Sequence, residues 1–226
     1  MLSARTRLNE TPRCQRPNPW QGKKLLVDLD GTLIDSVERT GKSSSYEVKT
    51  VNDAALRTLP ALRRANAMCL ITSGGDRAYV TEMVEATGIN NIADGIFTME
   101  DLIAPKGKGM RDTPKNYRKV IELVGERNPL ANCAVIGNDP GIDVPINPEG
   151  MVTAIINIDT QFGLVIAYLR VFLELGKGSF AEGFDLMCQY GRRMGSTKLL
   201  KRNDWRFDGG FSGSARVLYF RPSTEA

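Results

Sequence analysis

Histidine is absent from the 226 residues of the chain. That removes histidine-based metal sites, serine–histidine–aspartate triads and histidine phosphocarriers, so any catalysis has to run on carboxylates, hydroxyls and cations. Cysteine is scarce: Cys14, Cys69, Cys133 and Cys188 lie far apart with no CxxC pair, and two of them flank apolar runs. Core thiols in a reducing compartment fit that pattern better than disulfides. Long hydrophobic runs are also missing, since a membrane span needs about 20 apolar residues. The nearest segment, Leu164 to Leu175, is short and carries Arg170 and Glu174. No membrane partner is expected, and the expected location is the cytoplasm.

Excess charge is small, +4 overall, and unevenly placed. Arg192 to Ala226 holds eight Lys and Arg against three acids, a local +5 that leaves −1 for everything before it. The N-terminal residues contribute Arg5, Arg7, Arg13 and Arg16 against Glu10 alone. This reads as a flexible tail, with an organelle presequence as the lesser alternative.

What is present points to an α/β chain. With 42% hydrophobic residues it can bury a sizeable core, and its length suits one main domain with extensions. Apolar runs alternate with amphipathic segments, as in βαβ units around a parallel sheet. Strands are expected at Lys24–Asp28, Ala67–Thr72, Gly95–Thr98, Ala134–Ile136 and Val152–Ile158. Helices are expected at Asn52–Arg64, Asp76–Thr87 (stopping at Gly88), Pro114–Gly125, Gln161–Leu175 and Gly183–Met194. The implied fold is a Rossmann-like parallel sheet with helices on both faces. The expected division is a tail over 1–22, a core over 23–160, and a helical and irregular basic extension over 161–226. Between Val37 and Val51 there is room for a short β-flap but not for a helical cap.

The most informative string is DLDGTLIDS, Asp28 to Ser36. Two carboxylates two residues apart share one face of a strand end, and Gly31 lets the chain turn away behind them. Crowded carboxylates need a cation or a proton to coexist, which argues for a divalent metal such as Mg²⁺ and for acid–base chemistry. Three further strings follow in order: LITSGGD (Leu70–Asp76), TPKNYRKV with its cation, and AVIGNDPGIDVP (Ala134–Pro145).

Together these resemble the four signatures of the haloacid dehalogenase-like (HAD) hydrolases, over about Lys24 to Ile158. The resemblance implies an Mg²⁺-dependent phosphomonoester hydrolase. Asp28 would be the nucleophile that is transiently phosphorylated, and Asp30 the general acid and base. Thr72, with the backbone N–H groups of Ser73 and Gly74, would hold phosphoryl oxygens. Lys115 or Arg111 would supply the cation, with Lys106 and Lys108 less favoured. Asp28, the carbonyl of Asp30, and Asp139 would hold the metal with Asp143 in support, while Asn138 stands where many relatives carry the first acid.

A phosphorylated small molecule is the expected substrate. Two other readings stay open: a binding or regulatory module that has kept the fold, and a phosphatase for nucleic-acid ends. The latter would hold its substrate through Lys198, Lys201, Arg202 and Arg206, with stacking on Trp205 or Phe207.

Overall fold

The apolar run ahead of Asp28 folds as an interior strand whose Leu25, Leu26 and Val27 are fully buried. The structure, a computed structural model, describes residues 17–38, 46–102, 113–144, 150–160, 162–193, 205–212 and 215–222. In chain order its strands are β1 (Lys24–Asp28), β2 (Ile34–Glu38), β3 (Tyr46–Val51), β4 (Met68–Thr72), β5 (Gly95–Phe97), β6 (Cys133–Gly137), β7 (Val152–Ile155), β8 (Trp205–Ser212) and β9 (Ala215–Pro222). Its helices are α1 (Asp53–Arg64), α2 (Arg77–Thr87), α3 (Met99–Leu102), α4 (Tyr117–Leu123), α5 (Pro129–Asn132), α6 (Pro140–Asp143), α7 (Phe162–Leu175) and α8 (Phe180–Arg193).

Seven strands form one sheet in the order β5-β4-β1-β6-β7-β9-β8. Every neighbouring pair is parallel except the β8–β9 hairpin. This is the Rossmann-like α/β architecture expected from the alternating pattern. The period of two along β1 divides the core between the two faces. Leu25 and Val27 belong to the cluster with α1, α2, α7 and α8, while Leu26 joins Leu102, Tyr117, Val120 and Val135 on the other side. The chain runs from β1 outward to β4 and β5, then returns to build β6 and β7 on β1's other side. A crevice therefore opens beyond the carboxyl end of β1, where ligands bind in sheets of this type.

Local signals account for the helix ends. The Asn52 side chain accepts from the N–H of Ala55 and caps α1; Asp76 does the same for α2 through Tyr79. α2 stops at Gly88, which has φ +72°. The expected flap is present as the antiparallel β2–β3 hairpin.

Two expectations need correction. The helix placed over Pro114–Gly125 begins only at Tyr117, because Thr113–Asn116 is drawn out along its neighbours: the N–H of Lys115 donates to Ile142 and that of Asn116 to Leu102. The second concerns the C-terminal part, expected to be helical and irregular. It does supply α7 and α8, but its last residues extend the main sheet, with β9 in register beside β7. Val217, Leu218 and Phe220 of β9 are buried, and Arg216 makes a two-pronged ion pair with Asp185 on α8 at 2.8 and 2.7 Å. The segment reads poorly because Gly209, Gly210 and its arginines mask a strand pattern that pays off only against β7. Leu218→Ala should cost about 2–5 kcal/mol of unfolding free energy in urea, as for a core leucine. A loss below 0.5 kcal/mol would mean that β9 contributes little to the sheet.

Candidate active site

Parallel pairing puts Asp28 directly opposite Thr72, and β6 delivers Asn138 and Asp139 just past its end. Asp28, Asp30, Asn138, Asp139 and Lys115 line one cavity of about 730 Å³, with Gly74 and Gly75 on the side of α2 and Ser36, Tyr46 and Tyr79 toward the flap.

Asp28 is 2% exposed and sits at the base of that cavity. The ammonium of Lys115 donates to its Oδ1, and Thr32 Oγ1 donates to its Oδ2 at 3.2 Å. Burial pushes the Asp28 carboxyl up to about 7 from its ordinary 3.8; Lys115 pulls the other way, and the nearby Asp143 adds to the rise. For Lys115, burial disfavours the charge, but Asp28 and Asp143 together outweigh it and hold its pKa above the usual lysine range. Lys115 is therefore a fixed cation beside the carboxylate. Of the two cations weighed for this role, Lys115 is the one brought to Asp28; Arg111, like Lys106 and Lys108, lies outside the described residues.

Asp143 lies behind Lys115 and not among the residues that line the cavity. It is fully buried, and its Oδ1 accepts from Lys115 at 3.0 Å and from the Tyr117 hydroxyl at 2.7 Å. Its Oδ2 accepts from the N–H groups of Asn138 and Asp139 at 3.1 and 3.2 Å. Both of its oxygens are engaged inside the protein. It ties the cation to the loop that carries Asn138 and Asp139.

Thr72 departs from expectation. It is fully buried, and its hydroxyl donates to the Val27 carbonyl at 3.3 Å and lies 3.4 Å from Tyr117. The hydroxyl thus ties β4 to β1, and Gly74, Gly75 and Asp76 are the residues of that string that line the cavity. Ser73 is buried, and its hydroxyl donates to Asp30 Oδ2 at 3.0 Å.

Asp30 is partly buried and held on both oxygens. Oδ1 accepts from Tyr79 and lies 3.4 Å from the Ser36 hydroxyl. Gly31, at φ +76°, turns the chain behind it. That left-handed φ favours glycine, and a Cβ there would also push aside the end of the Asn138 side chain.

The cavity lining includes the acids Asp28, Asp30, Asp35, Asp76 and Asp139 and the amide residue Asn138. Such a set suits a hard cation. Among the described residues no three acidic or cysteine side chains cluster closely enough to form a metal site by themselves.

The chain is similar to HAD-superfamily hydrolases. A Legionella pneumophila protein described as a HAD superfamily (subfamily III A) hydrolase aligns at 18% identity and a TM-score of 0.42, over 60% of this chain and 66% of its own. The 3-deoxy-D-manno-octulosonate 8-phosphate phosphatase of Moraxella catarrhalis, solved with magnesium, phosphate and its sugar acid, aligns at 16% and 0.39 over 63% and 74%. The fission yeast RNA polymerase II CTD phosphatase bound to beryllium fluoride aligns at 13% and 0.37 over 76% and 56%. No protein-family model and no curated protein matches the sequence.

Sequence reasoning missed Thr32, Ser36, Tyr79 and Tyr117. Thr32 was in reach, as part of the DLDGT string. Tyr117 is hidden among core aromatics, and nothing local marks Ser36 and Tyr79 as neighbours, since they are 43 residues apart. The basic residues offered for nucleic acid fall outside: Lys198, Lys201 and Arg202 are not among the described residues, nor are the side chains of Trp205, Arg206 and Phe207. No helix among the described residues is long and apolar enough to cross a membrane.

Proposed function

We propose that the chain is a Mg²⁺-dependent phosphomonoester hydrolase that works through an aspartyl-phosphate. The observation that supports this most is the placement of Asp28, a buried carboxylate at a strand end with a fixed ammonium on one oxygen and a second carboxylate two residues on. An Asp28 oxygen attacks phosphorus in line, forming an acyl-phosphate bond as the ester oxygen departs. Asp30 gives its proton to that oxygen. Water then attacks the acyl phosphate, passing a proton back to Asp30 and releasing phosphate and the free Asp28 carboxylate. Lys115 offsets the negative charge gathered around Asp28, and the backbone at Gly74, which lines the cavity, would donate to the phosphoryl oxygens. Asp28, the Asp30 carbonyl and Asp139, with Asn138 beside them, would hold the metal, which when bound neutralises phosphoryl charge as a Lewis acid.

The substrate expected is a small phosphate ester, which the cavity of about 730 Å³ could hold. Phosphate release from a panel of esters, with Mg²⁺ and with chelator, tests the reading. Turnover only with Mg²⁺ supports it; no release from any ester, together with no Mg²⁺-induced stabilisation, would favour the binding-module alternative.

A thermal measurement gives a second check. With a folded value of about 7 against 3.8, Asp28 binds a proton in the folded state that the unfolded chain has already lost. Its contribution to stability therefore falls as pH rises through that window in metal-free protein. A cation beside the ionised carboxylate removes that penalty. The rise in Tm on adding Mg²⁺ should be larger at pH 8 than at pH 5.5, whereas an equal rise at both would place the ion away from Asp28.

A further inference from the structure

Tyr79 lies one turn into α2, and its ring crosses the loop that follows β4. A Cβ on Gly75 would come within 2.3 Å of the ring, so only glycine lets Tyr79 lie there. Its edge rests against Tyr46 of the flap, with ring centroids 4.5 Å apart and planes at 65°. Its hydroxyl donates to Asp30 Oδ1 and lies 2.6 Å from Ser36 Oγ on β2. Burial raises the phenol's pKa, and Asp30 raises it further, so the group stays a donor throughout the working pH range. Ser73 meets the other oxygen of Asp30. The carboxyl is thus gripped from α2 and the flap on one side and from the end of β4 on the other.

We propose that Tyr79 is a positioning residue for Asp30, holding its carboxyl at the angle needed to deliver a proton to the departing ester oxygen. The inference rests on the acid–base role given above to Asp30. A carboxyl on a loop has free rotation about χ1 and χ2, and two fixed donors remove most of it before the substrate arrives. Because Ser36 and Tyr46 belong to the flap, the same contact makes the aim of Asp30 depend on where the hairpin sits.

Tyr79→Phe removes the hydroxyl alone and leaves the ring over Gly75 and against Tyr46. The readout is kcat/KM for two esters, an alkyl phosphate whose leaving oxygen must be protonated and 4-nitrophenyl phosphate, whose leaving group departs as the anion. The variant should lose about tenfold or more on the alkyl ester and less than about twofold on the aryl ester, since only the first needs the proton in flight. A merely structural role would lower both alike, and that result overturns the inference, as does no change on either. Asp30→Asn, run in parallel, separates the two levels. If it lowers both esters equally, the acid–base reading of Asp30 fails; if it shows the split while Tyr79→Phe does not, the role of Tyr79 fails. Should Tyr79→Phe not fold, Ser36→Ala, which removes the hydroxyl beside that of Tyr79, carries the same comparison.

Discussion

Asp28→Asn is expected to lose at least about 10⁴-fold in kcat for any phosphate ester the wild type hydrolyses, with the fold retained. The amide keeps the shape of the carboxyl: its oxygen can accept from Lys115 while its NH2 takes the place of the oxygen beside Thr32, whose hydroxyl can turn to accept from it. What it cannot do is attack phosphorus, because it carries no charge and its oxygen lone pairs are drawn into the amide. Lys115 remains paired with Asp143 at 3.0 Å, which keeps its charge from being orphaned. Circular dichroism and urea titration should therefore show a folded protein, less stable by no more than about 1–2 kcal/mol. A purified, folded variant that hydrolyses at wild-type rate would remove Asp28 from the chemistry, and with it the aspartyl-phosphate.

The second large effect is on stability as well as rate. Lys115→Met takes away the cation between two buried carboxylates, Asp28 and Asp143, and leaves both without their ion pair. Removing one partner of a buried pair typically costs about 3–5 kcal/mol, since the remaining carboxylates have lost their water and the hydrogen bonds left to them do not replace the lost cation. That figure is the expected drop in unfolding free energy from urea titration, and turnover should fall below detection in the fraction that stays folded. The double variant Asp28→Asn/Lys115→Met should be less destabilised than the sum of the single changes, because the first removes one of the charges the second would strand. Strict additivity would mean that the two side chains do not share their energy, contrary to their contact.

The nucleophile was legible because everything that marks it is local. An apolar strand, a carboxylate at its end, a second two residues on and a glycine at the turn form one continuous string, and the strand's alternation dictates which way each side chain points. The alternation of strand and helix was legible for the same reason, as were the caps at Asn52 and Asp76 and the stop at Gly88. The flap could be read from the shortness of its segment.

The cation, the grip on Asp30 and the last strands were not local. Lys115 reaches Asp28 across 87 residues, and rival lysines and arginines surround it in the sequence. Nothing short of the packed sheet says that Thr113–Asn116 runs extended beside α6 rather than opening a helix. The string GNDPGID offers Asp143 as support for the metal site, and only the fold shows which groups its oxygens meet: Lys115, Tyr117 and two backbone N–H groups. Tyr79 reads as an ordinary helix residue until the loop after β4 brings its ring over Gly75. β9 looks irregular until β7 offers it an edge. The amino-acid string by itself determined the kind of sheet and the chemical character of its reactive tip, because propensity and side-chain alternation act over a few residues. The partners that hold and tune that tip were decided by the tertiary structure alone, because burial and ion pairing depend on which distant segments fold against one another.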